Sequence, residues 1–280
     1  MKEIRYKTRH ISLWIGLAIV LGVVAVALFA PVLAPQDPQS GNLVMRFRPP
    51  FWQERGTIAH LLGTDSLGRD LLSRMIIGTR ISLIVGFAAV ALQGFLGCLL
   101  GLIAGYWGKW LDSLLMRLAD IQLSIPFLIL ALAICAVLGS GVVNIIIVLG
   151  VTGWATYARI ARATTLQQKE MTYVYAARAI GQKPFKILFK HILPNIASSL
   201  IITATFQLAR MIIAEASLSF LGLGIPPQIP TWGGLIASGR DYLTTAWWIS
   251  AFPGIAIMIV VLGVNLLGNG LRDVLDPRGK

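Results

Sequence analysis

The sequence predicts an all-α, polytopic membrane protein with six transmembrane helices. Of its 280 residues, 56% are hydrophobic and 13% are charged, and its mean hydropathy is +0.76. A soluble domain carries roughly 25% charged residues, so this composition is typical of a chain that lies in lipid. In addition, six apolar stretches approach or exceed the length of about 20 residues that a helix needs to cross a bilayer core.

The six apolar stretches differ in their charge. The first and second contain no charged residue. The third has Arg117 and Asp120 near its start, where a spacing of three residues predicts a local ion pair. The fifth contains Arg210 and Glu215. The predicted spans are residues 12–33, 81–107, 114–138, 142–157, 197–221 and 248–271.

The predicted spans divide the chain into segments, each with an expected location relative to the membrane. The first span has 22 uncharged residues, which exceeds the apolar core of about 7 to 15 residues in a signal peptide. Because five more spans follow it, we interpret it as an uncleaved anchor. The expected segments are a cytoplasmic N-terminus (1–11), the first transmembrane helix (12–34), an extracytoplasmic segment (35–80), a five-helix transmembrane domain (81–271) that includes a cytoplasmic loop (159–195), and a cytoplasmic tail (272–280).

The distribution of basic residues orients the chain. The formal net charge is +12, from 24 lysines and arginines against 12 acidic residues. If both termini are cytoplasmic, 16 of the 24 basic residues lie in inner segments and 7 in outer ones, as the positive-inside rule requires. The basic excess therefore indicates membrane topology and no nucleic-acid partner. We expect a multi-pass protein of the inner (plasma) membrane, embedded in the lipid bilayer with both termini inside.

The sequence lacks the motifs of several catalytic classes. Its two cysteines, Cys98 and Cys135, lie in apolar runs, so neither a disulfide framework nor a metal site is indicated. There is no Gly-x4-Gly-Lys-Ser/Thr phosphate loop. No Ser-His-Asp or His-Glu-x-x-His grouping is present either. We therefore expect a non-catalytic chain that binds no metal and no cofactor itself.

The connection between the fourth and fifth spans, residues 159–195, is the most unusual part of the chain. It holds seven of the basic residues. Gly181 is expected to break a helix and Pro194 to stop one. Between them, lysines and apolar residues follow the pattern of a short amphipathic helix, which lies on a lipid surface or in the groove of a partner protein.

This connection resembles the cytoplasmic EAA loop of ABC importer permeases. Its residues follow the Ala-Ala-x3-Gly-x11-Leu-Pro spacing of that loop, with a tyrosine in place of the motif's first acidic residue. In the family, the loop forms a coupling helix that sits in a cleft of the ATPase subunit. The residues to which the resemblance gives this coupling role are Tyr175, Ala176, Ala177, Gly181, His191, Leu193 and Pro194.

Three further stretches, in the expected order, restrict the resemblance to one group of these permeases. They read LGTDSLGRDLLSRMIIGTRISLIVG, EASLSFLGLGIPPQIPTWGGLI and GNGLRDVLDPRGK. They are similar to the C-type permeases of the dipeptide, oligopeptide and nickel importers, except that Asn269 stands where an acidic residue is usual. With these stretches, the resemblance covers the chain from the first span to the tail.

The resemblance implies a fold, a set of partners and a mechanism. The fold is that of a type I ABC importer permease, which shares the substrate path with a second, B-type permease. The other partners are two ABC ATPase subunits, which hold ATP and Mg, and an extracytoplasmic substrate-binding protein. Closure of the ATPases on ATP would move the loop and switch the path between outward and inward access. The implied substrates are dipeptides or short oligopeptides, with nickel complexes or glutathione as alternatives.

Two charged residues inside the fifth span, Arg210 and Glu215, are candidate functional residues. They are five positions apart, which places them about 140° apart around a helix, so they cannot pair within it. Each is expected to find a partner on another span or on the second permease. They either form ion pairs between subunits, line the substrate path or extend to the membrane interface.

Small residues and a proline are expected to shape the second and third spans. Gly97, Gly101 and Gly105 recur at four-residue spacing, which allows two helices to approach closely. Packing is the simpler interpretation of these glycines, and a hinge during gating is the alternative. Pro126 removes a backbone hydrogen bond and is expected to kink the third span.

Two other classes of protein remain open at this point. A secondary transporter or channel would have ion-coupling groups near the membrane midplane and broken helices or an internal repeat. No convincing repeat is visible, and Arg210 and Glu215 are the ionisable residues near that depth. A membrane-anchored scaffold would explain the spans but would leave the loop motif unexplained.

Overall fold

The computed structural model describes residues 2–275, with side chains from residue 11 onward. This part of the chain is built from helices, and its strand-like contacts are two isolated β-bridges. The helices are α1 Lys2–Leu28, α2 Ala30–Leu33, α3 Leu71–Trp107, α4 Lys109–Ser124, α5 Phe127–Leu138, α6 Val142–Lys169, α7 Thr172–Ala179, α8 Pro184–Ile187, α9 Leu193–Phe220, α10 Trp232–Gly239 and α11 Trp248–Leu275.

Five helical segments of the described chain are long and apolar enough to cross a membrane, and α4 with α5 forms a sixth, bent span. This agrees with the predicted six spans when the bent pair counts once. The five segments are Ile11–Leu28, Leu71–Trp107, Val142–Lys169, Pro184–Phe220 and Trp248–Leu275.

Several helices extend beyond the predicted bounds of their spans. Helix α3 begins at Leu71, inside the segment predicted as extracytoplasmic, because the Asp70 side chain caps it by accepting from the Ser73 backbone N–H at 2.8 Å. Helix α6 runs on to Lys169, well past the predicted end of the fourth span. Helix α11 extends to Leu275, into the predicted tail, and residues 276–280 of that tail lie outside the described residues.

The third span is broken, not merely kinked. Helices α4 and α5 meet at 90° across Ile125 and Pro126. Ile125 is extended (φ −93°, ψ 128°), the conformation that the ring of a following proline favours. The predicted local pair of Arg117 with Asp120 was also wrong, since Asp120 pairs with Arg159 of α6. This cross-helix contact holds α4 against α6.

Pro194 does not stop a helix, contrary to the prediction. The helical segment is continuous from Pro184 to Phe220 and passes through a π-helical turn at Leu188–Ile192. In this wider turn the Leu193 N–H donates to the Leu188 carbonyl, five residues back. The π turn therefore accommodates a residue that has no N–H of its own and whose ring would clash in a regular α-helix.

The centre of the fold is the packing of α3 against α6, with α9 beside both. Gly97, Gly101 and Gly105 lie where α3 passes α6. A Cβ on Gly101 would lie 2.6 Å from the Ala161 Cβ, and one on Gly105 would lie 2.8 Å from the Thr165 Cβ. The two backbones therefore approach as closely as glycine permits, which is the packing arrangement of small-residue helix pairs in membranes.

The first span packs against the last. Glycines on α11 face α1: a Cβ on Gly270 would lie 2.6 Å from the Leu13 Cβ, and one on Gly263 would lie 2.8 Å from the Ile19 Cβ. Gly16 of α1 in turn faces the backbone of α11. The anchor helix is therefore fixed to the helix bundle by close backbone contact.

Candidate functional sites: the loop between α6 and α9, and a cavity at the broken span

The α6–α9 loop (residues 170–192) is fixed to the helix bundle by one buried face. Val174 and Ala177 of α7 are 0% and 4% exposed. They pack with Leu102 of α3 and Ala161 of α6 in one apolar cluster. The cluster also contains Ile187, Leu188, Ile192 and Ile196. The loop therefore packs against α3, α6 and α9 together.

The opposite face of the α6–α9 loop carries exposed apolar side chains. Tyr175 and Ala176, two of the predicted coupling residues, lie on this face. Exposed apolar patches are typical of surfaces that contact a partner protein or a membrane. The large ones form what we name the loop apolar surface: Met171, Tyr173, Tyr175, Ile180, Phe185 and Phe189.

Tyr175 has a carboxylate beside it. Its hydroxyl donates to the Glu170 carboxylate, and this hydrogen bond raises the pKa of Tyr175 above its usual range. The Arg178 guanidinium lies 5.8 Å from the Tyr175 ring centre and 5.3 Å from that of Tyr106 on α3. The Glu170 carboxylate thus lies next to Tyr175, the position at which the motif has its acidic residue, although Glu170 precedes Tyr175 by five residues.

The second half of the α6–α9 loop is joined to the first by a turn and a hydrogen bond. Gly181 has φ +75°, a left-handed conformation that glycine adopts without strain. It ends α7 and reverses the chain. Gln182 then binds His191 of the π turn, with Oε1 and Nε2 2.9 Å apart. Leu193 and Pro194 follow at the first turn of α9.

A polar cavity of about 200 Å³ lies where the third span breaks. Gln122, Pro126 and Phe127 line it from the broken span, and Arg210 lines it from α9. The Arg210 guanidinium lies 5.9 Å from the centre of the Phe127 ring. The remaining lining residues are Leu123, Ile125, Leu130, Thr152, Gly153, Thr156, Gln207 and Met211.

Arg210 is held by a chain of side-chain amides. Its guanidinium donates to the Gln207 Oε1 at 3.1 Å, and the Gln207 amide donates to the Gln93 Oε1 at 3.2 Å. The Gln93 amide donates to the Leu149 carbonyl at 2.8 Å. Gln93 and Gln207 are 0% and 4% exposed. This chain crosses from α9 to α3 and α6 and orients Arg210 from behind.

Glu215 has a hydrogen-bond partner on another span, which is one of the two expected locations, and it does not reach the surface of the chain. An inter-subunit or pathway role requires an accessible carboxylate, but Glu215 is 1% exposed within this chain. It accepts from Ser219 Oγ at 2.8 Å and from Ser82 Oγ of α3 at 3.4 Å. Ser82 Oγ in turn accepts from the Trp232 N–H at the start of α10. Glu215 therefore ties α9, α3 and α10 together.

A buried ionic cluster near the start of α3 was not identified from the sequence. Asp65 is 1% exposed and accepts from the Arg69 Nε at 2.7 Å, with the Arg74 Nε at 3.6 Å. Asp70 contacts the His60 Nδ1 at 3.1 Å. The available signal was the alternation of acidic and basic residues in LGTDSLGRD, which we quoted only for its resemblance.

A larger cavity of about 630 Å³ lies at the opposite end of α9 from the α6–α9 loop. It is lined by Phe220, Leu221, Gly222, residues 224–228 and Arg240, whose guanidinium is 5.6 Å from the centre of the Phe220 ring. Trp232, the first residue of α10, is 2% exposed and donates to the Met75 carbonyl. The segment between α9 and α11 therefore folds back into the bundle end.

Membrane-spanning helices, a broken span with a polar cavity and an anchored amphipathic loop define a membrane transport subunit. The chain belongs to the family of binding-protein-dependent transport system inner membrane components, whose family model matches residues 97–280. The model of the N-terminal TM domain of oligopeptide transport permease C matches residues 8–50. The chain is thus a multi-pass inner-membrane permease subunit, as the motifs predicted.

Similarity to named permease proteins supports the C-type assignment. The chain is 44% identical over 265 residues to the di/tripeptide transport system permease protein DppC of Pseudomonas aeruginosa, covering 95% of this chain and 88% of the relative. It is 40% identical over 276 residues to the glutathione transport system permease protein GsiD of Pectobacterium atrosepticum, covering 99% and 90%. Both matches extend over nearly the whole chain, so the resemblance is not confined to the motifs.

The fold matches a solved importer. A chain of the inward-facing MetNI methionine ABC transporter superposes with a TM-score of 0.59, covering 74% of this chain and 97% of that one. The sequence identity is 21%. This confirms the predicted type I ABC importer permease fold.

Proposed function

We propose that this chain, together with a second permease of the B-type, forms the path for ATP-driven uptake of dipeptides or short oligopeptides. The α6–α9 loop is the observation that carries the proposal. Its buried face is fixed to three membrane-spanning helices, and its other face presents apolar side chains to a partner. The name of the di/tripeptide relative supports the substrate class.

The ATPases act through the loop apolar surface. Two ABC ATPase subunits hold ATP and Mg, and this chain holds no cofactor. Helices α7 and α8 sit in a cleft of one ATPase, so that movement of the cleft displaces Val174 and Ala177 and, with them, the helix bundle. For nucleotide to shift the path, the loop must contact the ATPase differently in its open and closed states.

The proposed topology places the α6–α9 loop and both termini in the cytoplasm. Residues 35–70 and 221–247 then lie outside the membrane, where the substrate-binding protein delivers its peptide. The 630 Å³ cavity near Arg240 faces that side. The exposed apolar faces of α4 and α5 lie against the lipid bilayer or the second permease, because they carry large side chains such as Leu118 and Ile129.

Replacing Ile180 with aspartate is expected to release the ATPase from the complex. Ile180 is 74% exposed in the loop apolar surface, so the change leaves the fold of this chain intact. A charge in a desolvated contact costs at least about 2 kcal/mol at a hot spot, which weakens binding roughly thirtyfold. The measurement is the amount of ATPase that co-purifies with the tagged permease pair in detergent.

The matched control is Ile58→Asp, which changes the same residue type at 83% exposure at the other end of the bundle. It is expected to retain the ATPase fully. Equal retention in both variants, with unchanged ATP hydrolysis stimulated by the binding protein, would contradict the coupling role of the loop.

The substrate class is tested by uptake into proteoliposomes that contain the whole complex with its binding protein. A labelled dipeptide is expected to be taken up in an ATP-dependent manner and to be displaced by unlabelled dipeptides. Glutathione is the second candidate, because the glutathione permease relative GsiD is 40% identical over 99% of this chain. Competition by glutathione or by a nickel complex, and not by dipeptides, would reassign the substrate.

A further inference from the structure

In the proposed topology, which puts the end of α9 at the outer membrane surface, Arg210 is a cation near the middle of the membrane, and it has no carboxylate partner among the described residues. It lies ten residues before the end of α9 at Phe220, which corresponds to about 15 Å along the helix. This distance is half of a bilayer core about 30 Å thick. Ionisable residues at that depth are costly and mark substrate or ion pathways.

The surroundings of Arg210 leave most of its donors free. A guanidinium has five N–H donors, and one of them is engaged by Gln207. Within the described part of the chain no other acceptor is bonded to it. Arg210 is exposed within this chain and lines the cavity together with Gln207 and Phe127, so its remaining donors are available to a group that enters the cavity.

The broken span adds further positive charge to the cavity that Arg210 lines. Helix α5 has 12 residues and begins at Phe127, so the unpaired N–H groups of its first turn bring partial positive charge to the cavity. The cavity thus offers hydrogen-bond donors and partial positive charge to an anion.

We propose that Arg210 binds the C-terminal carboxylate of the transported peptide. At about 200 Å³ the cavity is smaller than the roughly 300–1,000 Å³ of pockets that enclose a whole ligand. It therefore takes one end of a peptide, whose remainder lies toward the second permease. This inference rests on the proposed function and gives it a site within the path.

The test compares Arg210→Gln and Arg210→Lys in the full complex in proteoliposomes, with the binding protein kept saturated with a dipeptide. Arg210→Gln is expected to lower the uptake rate about tenfold, the effect of losing one charge-assisted contact of about 1.4 kcal/mol. Arg210→Lys, which keeps the charge, is expected to restore most of the rate. The effect of Arg210→Gln is expected to vanish for the C-terminal amide of the same dipeptide, with the binding protein again kept saturated.

The control variant is Arg117→Gln, which removes an exposed arginine from α4 that does not line the cavity. It is expected to transport at the wild-type rate. An unchanged rate in Arg210→Gln, or an equal loss for the dipeptide and its amide, would overturn the proposal. Loss of the second permease on purification would show that Arg210 pairs with a carboxylate of that subunit. Failure of the wild-type complex to take up any peptide would instead contradict the proposed function.

Discussion

Replacing Asp65 with alanine is expected to destabilise the chain by about 3–5 kcal/mol, the cost of leaving buried charges without a partner. The Asp65 carboxylate lies between two arginines whose side chains are 13% and 4% exposed, Arg69 and Arg74. It also accepts from the backbone N–H groups of Leu67 and Arg69. Without it, both guanidinium groups stay buried with no counter-ion.

The loss of Asp65 is expected to spread beyond its own segment. Arg74 donates to the Pro38 carbonyl at 3.1 Å and to the Pro227 carbonyl at 3.2 Å. It therefore joins residues after the first span to the segment between α9 and α11. We expect the Asp65→Ala chain to be depleted from membranes and to unfold at lower denaturant concentration in detergent.

The matched control for Asp65 is Asp241→Ala. Asp241 also pairs with an arginine, Arg240, but its side chain is 73% exposed. An exposed pair contributes at most about 1 kcal/mol, so this variant is expected to resemble the wild type. Equal stability of the two variants would mean that the buried cluster does not hold the outer segments together.

Replacing Gly101 with leucine is expected to separate α3 from α6 and to cost about 3 kcal/mol or more. A Cβ at this position would lie 2.6 Å from the Ala161 Cβ and 3.0 Å from the Arg162 backbone nitrogen. Carbon atoms in contact prefer about 3.5–4.0 Å, so one helix must shift. The shift also moves Leu102 and Ala161, on which the α6–α9 loop rests.

The control for Gly101 is Gly22→Leu. Gly22 is also a helical glycine, but it is exposed on α1, and a Cβ there would meet nothing within 4 Å. The denaturation midpoint of each purified complex in detergent distinguishes the two. We expect a lowered midpoint and reduced binding-protein-stimulated ATP hydrolysis in Gly101→Leu alone, and a normal midpoint there would contradict the packing argument.

The functional loop was largely predictable because its determinants are local. Gly181 was expected to break a helix and does so at φ +75°. The amphipathic helix was expected between Gly181 and Pro194, where the structure has α8 and the π turn, with Leu188 buried and Phe185 and Phe189 exposed. Pro194 was misjudged because the π turn that accommodates it involves backbone hydrogen bonds, which no pattern of side chains reveals.

The environments of the two intramembrane charges were not predictable from the sequence. Helical spacing correctly excludes a pair between Arg210 and Glu215, but it does not identify their partners. Glu215 is enclosed by Ser82, which lies 133 residues away in the sequence. Arg210 faces a cavity that exists only because the third span breaks at Pro126. The environments of both residues depend on which helices, distant in the sequence, pack together.

The sequence by itself determined the class of protein, the approximate number and order of the spans and the position of the loop, because apolar length, charge distribution and motif spacing act over short stretches of chain. The tertiary structure decided the 90° break of the third span, the burial of Glu215 and the ionic cluster around Asp65. Glu215 accepts from a serine of another helix, and Arg74 of the ionic cluster donates to carbonyls of two segments that are distant in the sequence. Only the assembled bundle brings these groups together.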